Sequence, residues 1–316
     1  MQTEEKLEIV GVDVSKSALD ICGIRGVSSV PNAEAGVDKL VQKLTAMPGC
    51  HVICENTGGY EALMVGRLQR EGITVSSINP RQVRDFAKAM GRLEKTDDVD
   101  AKVIREYGLR IRPAATAALS ASEVLLRELV TARSQLIEAR TQEIAQAEHY
   151  AAKAVKKLSQ ARIRLIEKQI LELDKQIEET IQEAEVLRTK ASRIREIKGV
   201  GPATTGAILA YMPELGQLTD KQASKLAGLA PINHDSGLFR GQRHIRGGRP
   251  KARKAIYMAA MVAAHHNPIL KAFYSQLVAR GKSPKLAITA VMRKLIVLMN
   301  RLLKNPSFTL ATGDRC

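Results

Sequence analysis

The chain has 316 residues, with 49 Lys and Arg against 33 Asp and Glu, a formal net charge of +16 and a pI near 9.8. That length suffices for two or three structural units, and that charge points to a polyanionic partner, nucleic acid being the commonest. No apolar run reaches the roughly 20 residues that span a bilayer, the start Met1-Gln2-Thr3-Glu4-Glu5 lacks a signal-peptide core, and four cysteines fit a reducing compartment: a cytoplasmic protein with no membrane partner is expected. Trp is absent and aromatic residues make up 3%. Base stacking is therefore not the main grip, and salt-dependent phosphate contacts by Lys and Arg are.

The first hundred residues alternate strand and helix signals. Residues 7–14 and 19–24 read as strands joined by the polar turn Ser15-Lys16-Ser17, and 27–30 as a third. Residues 34–47 have helical spacing, 51–54 are a short buried strand, 60–70 a helix, and 73–78 a strand closed by Asn79-Pro80. Helices follow at 81–90 and 97–109. The pattern predicts a mixed α/β sheet. Asp13 lies mid-strand with its side chain opposite to Val12 and Val14, so it faces the other side of the sheet. A charge in so apolar a strand is costly without a partner. Glu55 ends its strand, where α/β sheets build sites. Asp97 and Asp100 share a helix face, from which Asp98 is rotated away. These four carboxylates have the chemistry to hold Mg²⁺ against a phosphodiester, although a lone Asp near a strand end is usually a turn residue and Asp97 also reads as a helix cap. Cys50, His51 and Cys54 lie along a strand with no second Cys/His pair, and core packing is expected of them.

The texture then changes. No glycine occurs between Gly108 and Gly199, and no proline between Pro113 and Pro202. Without either helix breaker a long helical stretch is expected. Ile166, Ile170, Leu173 and Ile177 step along it as a coiled-coil seam, continued by Ala184 and Leu187. The seam fits either an internal hairpin turning near residues 149–157 or a zipper with a second chain.

The last third opens with Ile197-Lys198-Gly199-Val200-Gly201-Pro202. This resembles a helix-hairpin-helix turn, in which Lys198, Gly199 and Gly201 would meet phosphates. An ordinary glycine turn between packed helices reads equally well. Helices are expected at 221–227, 251–265 and 284–303. Ser236 precedes Arg240, Arg243, Arg246, Arg249 and Arg253, and glycines at 237, 241, 247 and 248 make the stretch a loop. The arginines are a nucleic-acid signal. On physics alone, the serine is incidental to a loop that holds the DNA backbone.

The motifs Gly11-Val12-Asp13-Val14-Ser15-Lys16, Cys54-Glu55-Asn56-Thr57-Gly58, Ser77-Ile78-Asn79-Pro80 and Lys95-Thr96-Asp97-Asp98-Val99-Asp100-Ala101 resemble those of the DEDD transposases of insertion-sequence family 110, related to the Piv invertases. Gly199-Val200-Gly201, the run Leu226 to Pro231, Ser236-Gly237, Arg240-Gly241 and the run Arg253 to Met258 continue the likeness in family order. The resemblance implies an α/β plus α chain: a ribonuclease-H-like (Holliday-resolvase-like) catalytic domain over 1–112, a helical coiled-coil linker and oligomerisation region over 113–195, and a helical C-terminal transposase domain over 196–316 that carries the serine. It implies Asp13, Glu55, Asp97 and Asp100 as ligands of one or two Mg²⁺ ions and Ser236 as a nucleophile forming a phosphoserine link. It also implies donor and target DNA, a structured bridge RNA, and a homodimer or homotetramer sharing a composite site. The expected activity is that of a transposase or site-specific recombinase. A metal-dependent junction nuclease using water and a non-enzymatic basic coiled-coil nucleic-acid-binding protein are the alternatives.

Overall fold

The computed structural model describes residues 8–26, 28–92, 97–233, 235–236, 239–241 and 243–310, with the side chains of 97–99, 235, 236, 239 and 240 outside the described set. The chain divides into two compact units, Met1–Ala118 and Leu119–Cys316.

The first unit holds β1 (Ile9–Val14), β2 (Ala18–Cys22), β3 (Ser29–Pro31), α1 (Glu34–Thr45), β4 (His51–Glu55), α2 (Ala62–Arg70), β5 (Thr74–Ile78), α3 (Pro80–Ala89) and α4 (Asp97–Ile111). The sheet order is β3-β2-β1-β4-β5. Three consecutive strands pair antiparallel because their connections are short. Ser15 closes the first turn: its N–H and hydroxyl both donate to the Ala18 carbonyl at 2.9 Å, and its hydroxyl accepts from the Ala18 N–H. β4 and β5 join parallel, each after a crossover helix long enough to reverse the chain.

Alternation sorts the strands onto two layers. Val10, Val12, Val14, Val52 and Cys54 pack against Leu40, Leu44, Met64 and Leu68 of α1 and α2. Ile9, Ile53 and Ile78 face the other way, onto Val83, Val103, Ile104 and Tyr107 of α3 and α4. α3 begins where Asn79 accepts from the Arg81 N–H at 2.9 Å and Pro80 takes the first helical position. The expected strands and helices of this unit are all present, with ends shifted by a few residues.

The second unit holds α5 (Ala121–Ala147), α6 (Lys153–Glu183), α7 (Glu185–Arg195), α8 (Pro202–Tyr211), α9 (Asp220–Leu226), four two-residue strands β6 (Pro231–Ile232), β7 (Asp235–Ser236), β8 (Phe239–Arg240) and β9 (His244–Ile245), then α10 (Pro250–His266), α11 (Pro268–Ala279) and α12 (Pro284–Lys304). Ser120 and Glu123 form a capping box that starts α5. α5 and α6 run antiparallel, since Arg133 pairs with Asp174, Arg140 with Glu167 and Glu143 with Arg162. Ile170, Ile177 and Ile181 are buried, and Ile177 and Ile181 share a core with Leu126 and Val130 of α5. Part of the apolar stripe therefore packs within the chain, as an internal hairpin requires, while Ile166 and Leu173 stay half-buried.

The breaker-free stretch is less continuous than its composition suggests. It turns between α5 and α6, and it breaks again at Ala184, whose ψ of 110° is extended. Leu187 therefore belongs to α7, which packs on α8 and α12. Tertiary packing overrides local propensity here. Those helices share one core with α5 and α6, built from Leu209, the alanine face of α10 and Leu295, Ile296 and Met299 of α12. Among the described residues no helix is long and apolar enough to cross a membrane.

Truncating Ile177→Ala should cost about 2–4 kcal/mol, read as a lower urea midpoint. Leu171, on the same helix but 70% exposed, should tolerate alanine within about 0.5 kcal/mol. Equal losses at the two positions would contradict burial of the stripe at Ile177.

Candidate active site

The sequence of β1 determines what can lie on its α4 face. Gly11 leaves a gap there. A Cβ at this position would fall 2.4 Å from the Ala101 carbonyl oxygen and 2.5 Å from the Arg105 nitrogen, distances that no side chain tolerates. Further down the helix, a Cβ on Gly108 would fall 2.7 Å from Ile9 and 2.6 Å from Ile53. α4 thus runs antiparallel to β1 and touches it backbone to backbone. The Arg105 Nε–H donates to the Ile9 carbonyl at 2.9 Å and fixes the register.

Two residues beyond Gly11 is Asp13, about 6.6 Å further along the strand. One turn earlier in α4 come Asp97 and Asp100. Asp13 and Glu55 immediately follow the paired residues Val12 and Cys54 in parallel strands, and their parity places both on the α4 side. Asp13, Glu55 and Asp100 are all half-buried. The Asp13 Oδ1 accepts from the Val14 N–H at 3.0 Å. The strand pairing adds a carboxylate that sequence reasoning missed. Asp20 lies directly across from Asp13 in β2, and the alternation Leu19-Asp20-Ile21 is the signal for it.

The rim of this end is tied together. Glu61 Oε2 accepts from the Thr57 N–H at 3.1 Å, the Thr57 hydroxyl at 2.9 Å and the Gly59 N–H at 2.9 Å. The Asn32 Nδ2 donates to the carbonyls of Ser15 at 2.8 Å and Tyr60 at 2.9 Å. Loops after β1, β3 and β4 are thereby held at the C-terminal edge of the parallel strands, the usual place for a site in such sheets.

Carboxylate oxygens alone make a hard donor set of the kind that suits Mg²⁺. Among the described residues no three ligating side chains converge closely enough to enclose an ion, and the Asp97 side chain is outside that set. Cys50 and Cys54 face the α1 layer, whereas His51 bonds Ser76 Oγ at 2.8 Å on the opposite face. That arrangement bears out core packing. Burial raises the Cys54 thiol to about 12.

In the second unit the loop expected around Ser236 has ordered pairing. β6 pairs with β9, and β7 with β8, where Ser236 is in register with Phe239. The side chains of Ser236 and Arg240 lie outside the described set. The base of the hairpin is pinned. Arg253 Nη1 donates to the Gly247 carbonyl at 2.7 Å and the Gly228 carbonyl at 3.3 Å. Arg249 makes bonds of 2.7 and 2.6 Å to Glu214 and one of 2.7 Å to the Tyr211 carbonyl. Gly248 permits the two segments to touch, since a Cβ there would fall 2.1 Å from the Gly228 nitrogen.

Sequence reasoning assigned all five arginines to nucleic acid. Arg249 and Arg253 are instead committed within the chain, while Arg243 and Arg246 are exposed. Glu214 was missed, because nothing in sequence spacing links it to Arg249. Burial acts to raise its carboxyl, but the bonds and charge of Arg249 outweigh this and hold it below the usual 4.5. At the glycine turn Lys198 and Gly201 are exposed, and Gly199 sits against Ala263 of α10 with φ of +105°. Gly201 caps α8, with Pro202 in its first turn.

A carboxylate-lined sheet edge and a pinned basic hairpin carrying a serine suit enzymes that act on phosphodiesters, and comparison with known proteins gives the class. A family model for the DEDD transposase of IS110 matches residues 10–151, and one described as transposase IS116/IS110/IS902 family matches 191–275. The protein is thus a transposase or recombinase acting on DNA. The chain belongs to the IS110 family of transposases. It is 28% identical over 301 residues to the pilin gene-inverting proteins of Moraxella lacunata and Moraxella bovis, covering 92% of this chain and 93% of each relative. It is also 26% identical over 117 residues to an uncharacterized 43.6 kDa protein of insertion element IS110 from Streptomyces coelicolor, covering 36% of this chain and 29% of that one.

Gly11→Ala should force α4 off β1 and cost at least about 2 kcal/mol of stability in the first unit, with overpacking and lost contact combined. A thermal midpoint equal to wild type would contradict the close approach. For Glu214 the sign follows from its lowered folded pKa. The stabilisation is present above the unfolded value and is lost as pH falls through the folded one. The stability gap between wild type and Glu214→Gln should therefore be widest near neutrality and shrink below pH 4.5. A gap that grows on acidification would refute the pairing.

Proposed function

We propose that this transposase cuts and rejoins DNA through a covalent phosphoserine intermediate on Ser236, with Mg²⁺ held by Asp13, Glu55, Asp97 and Asp100 in a ribonuclease-H-like domain. The observation that carries the proposal is the approach of α4 to β1 at Gly11, which brings Asp100 to the strand end where Asp13 and Glu55 lie side by side. The sheet order β3-β2-β1-β4-β5, with antiparallel β1 to β3 and parallel β4 and β5, supports the ribonuclease-H-like assignment. Bound Mg²⁺ supplies Lewis-acid withdrawal of charge from the phosphate oxygens.

The chain's own residues do the rest. The Ser236 oxygen attacks phosphorus and gives up its proton, the serine–phosphate bond forms, and the bond to the departing DNA oxygen breaks. That oxygen leaves as a protonated hydroxyl. In the return step a DNA hydroxyl attacks the phosphoserine, and the serine oxygen recovers a proton. One ester replaces another, so no nucleotide triphosphate is needed. Arg243 and Arg246, both exposed and lying before the pinned Arg249, neutralise phosphate charge.

Ser236 and the carboxylates belong to different units, and the family resemblance implies that subunits of a dimer or tetramer share the reaction. The names of the Moraxella relatives, which invert a gene, favour rejoining over cutting alone. Recognition of donor and target DNA is assigned to a structured bridge RNA, as the family resemblance implies, and a net charge of +16 suits both nucleic acids.

Asp13→Asn or Asp100→Asn should abolish strand cleavage while leaving the thermal midpoint near wild type. Ser236→Ala should bind DNA yet give no denaturant-stable protein–DNA adduct and no recombinant. If Ser236→Ala nicks DNA at the wild-type rate, the serine is dispensable and a metal-activated water does the cutting, as in a junction nuclease.

A further inference from the structure

Strand β2 sets an acid directly across from Asp13. The register pairs Val12 with Ile21, Asp13 with Asp20 and Val14 with Leu19. Leu19 and Ile21 are buried in the layer of α1 and α2, so Asp20 lies on the α4 side of the sheet with Asp13. Both aspartates are half-buried. Residues directly opposite in an antiparallel pair have Cβ atoms about 4.5–5.5 Å apart, and like charges placed there are destabilising.

The strands cannot slip to relieve this opposition. Hydrogen bonds of 2.9 Å tie Ser15 to Ala18, and the Asn32 N–H donates to the Ser17 carbonyl at 3.0 Å. A shift of one residue would also turn Leu19 and Ile21 out of the core. Nor does the strand itself favour an acid, since Asp is depleted in strands. Among the described residues no hydrogen bond or ion pair engages the Asp20 side chain. Arg105 of α4 is committed elsewhere, donating to the Ile9 carbonyl at 2.9 Å and lying over Gly23. A residue that breaks the local rules without a compensating partner is expected where function requires it.

We propose that Asp20 is a positioning residue for the divalent cation. Its charge favours the cation at the β1 end of the sheet and orients water bound there, while Asp13, Glu55, Asp97 and Asp100 supply the ligands. Two opposed carboxylates, unfavourable in the bare protein, become favourable once a cation lies on their side of the sheet. Outer groups of this kind orient ligands, and their loss costs about 10–100-fold in metal affinity. The role rests on the reading of this sheet edge as a Mg²⁺ site and adds to it a residue outside the four that the family resemblance implies.

Three variants of the full chain separate charge from shape. Asp20→Asn keeps the shape and removes the charge. Asp20→Glu keeps the charge and changes the shape. Asp38→Asn removes a charge from α1, on the other layer of the sheet, as a control. Mn²⁺ binding without DNA is followed by loss of the free-ion electron paramagnetic resonance signal, and thermal midpoints are read in EDTA and in excess Mg²⁺. Asp20→Asn should bind Mn²⁺ about tenfold or more weakly, with Asp20→Glu and Asp38→Asn within about threefold of wild type. In EDTA, Asp20→Asn should melt about 1–4 °C above wild type, because a like-charge pair is relieved. In Mg²⁺ that advantage should vanish or reverse, since the wild type gains more from the cation. Unchanged Mn²⁺ affinity in Asp20→Asn would overturn the role of Asp20 alone, as would an equal loss in Asp38→Asn. A midpoint in EDTA at or below wild type, failure to fold included, would also overturn it. So would a loss of affinity in Asp20→Glu as large as in Asp20→Asn, which would make the residue's shape the cause. If wild type binds no Mn²⁺ and gains no midpoint in Mg²⁺, the metal site itself is wrong, and the role of Asp20 falls with it.

Discussion

Helix α4 comes against the sheet where β1 carries a glycine, between Ile9 and Asp13 on the same face of the strand. At Gly11 the helix backbone lies closer to the strand than any Cβ permits. With the contacts of Gly108 on Ile9 and Ile53 and the Arg105 bond to Ile9, that approach sets the direction of the helix, antiparallel to β1. A bulkier residue would leave α4 folded but displaced, with Asp100 stranded from Asp13 and Glu55. The approach is held by packing: Ile9 and Ile53 of the sheet share a core with Ile104 and Tyr107 of α4.

The serine is held by a different device. Its hairpin is an excursion from a helical unit, and short two-residue ladders have little stability of their own. Arg249 and Arg253 fasten its base to the turn after α8 and to the turn after α9. Two of the arginines that look like phosphate ligands in the sequence are in effect parts of the frame. The exposed pair, Arg243 and Arg246, lies between the frame and the tip.

Much of the first unit is legible in the sequence. Period-two alternation in Ile9 to Val14 identifies both the strand and the odd parity of Asp13, and Asn79-Pro80 marks the start of α3. The acidic quartet rests on such local signals and on family likeness; what the structure adds is the contact of α4 with β1 at Gly11. What the sequence could not carry is long-range. Nothing local to Glu214 announces Arg249. Asp20 becomes a neighbour of Asp13 only through strand register. The helical stretch after residue 113 has no breaker in its composition, yet it ends at Ala184 because α7 must turn to meet α8 and α12. Its apolar stripe has the same spacing whether the partner helix is in the same chain or another; the pairing of α6 with α5 by antiparallel ion pairs is visible only in the structure.

The most direct measurement is anomalous diffraction from crystals grown with Mn²⁺, a hard cation that takes the same oxygen ligands as Mg²⁺. The expected result is one or two peaks within coordination distance of Asp13, Glu55 and Asp100, absent in Asp100→Asn crystals. Mn²⁺ bound away from the C-terminal ends of β1 and β4, or bound there equally well without Asp100, would contradict the central claim that α4 completes a metal site on this sheet.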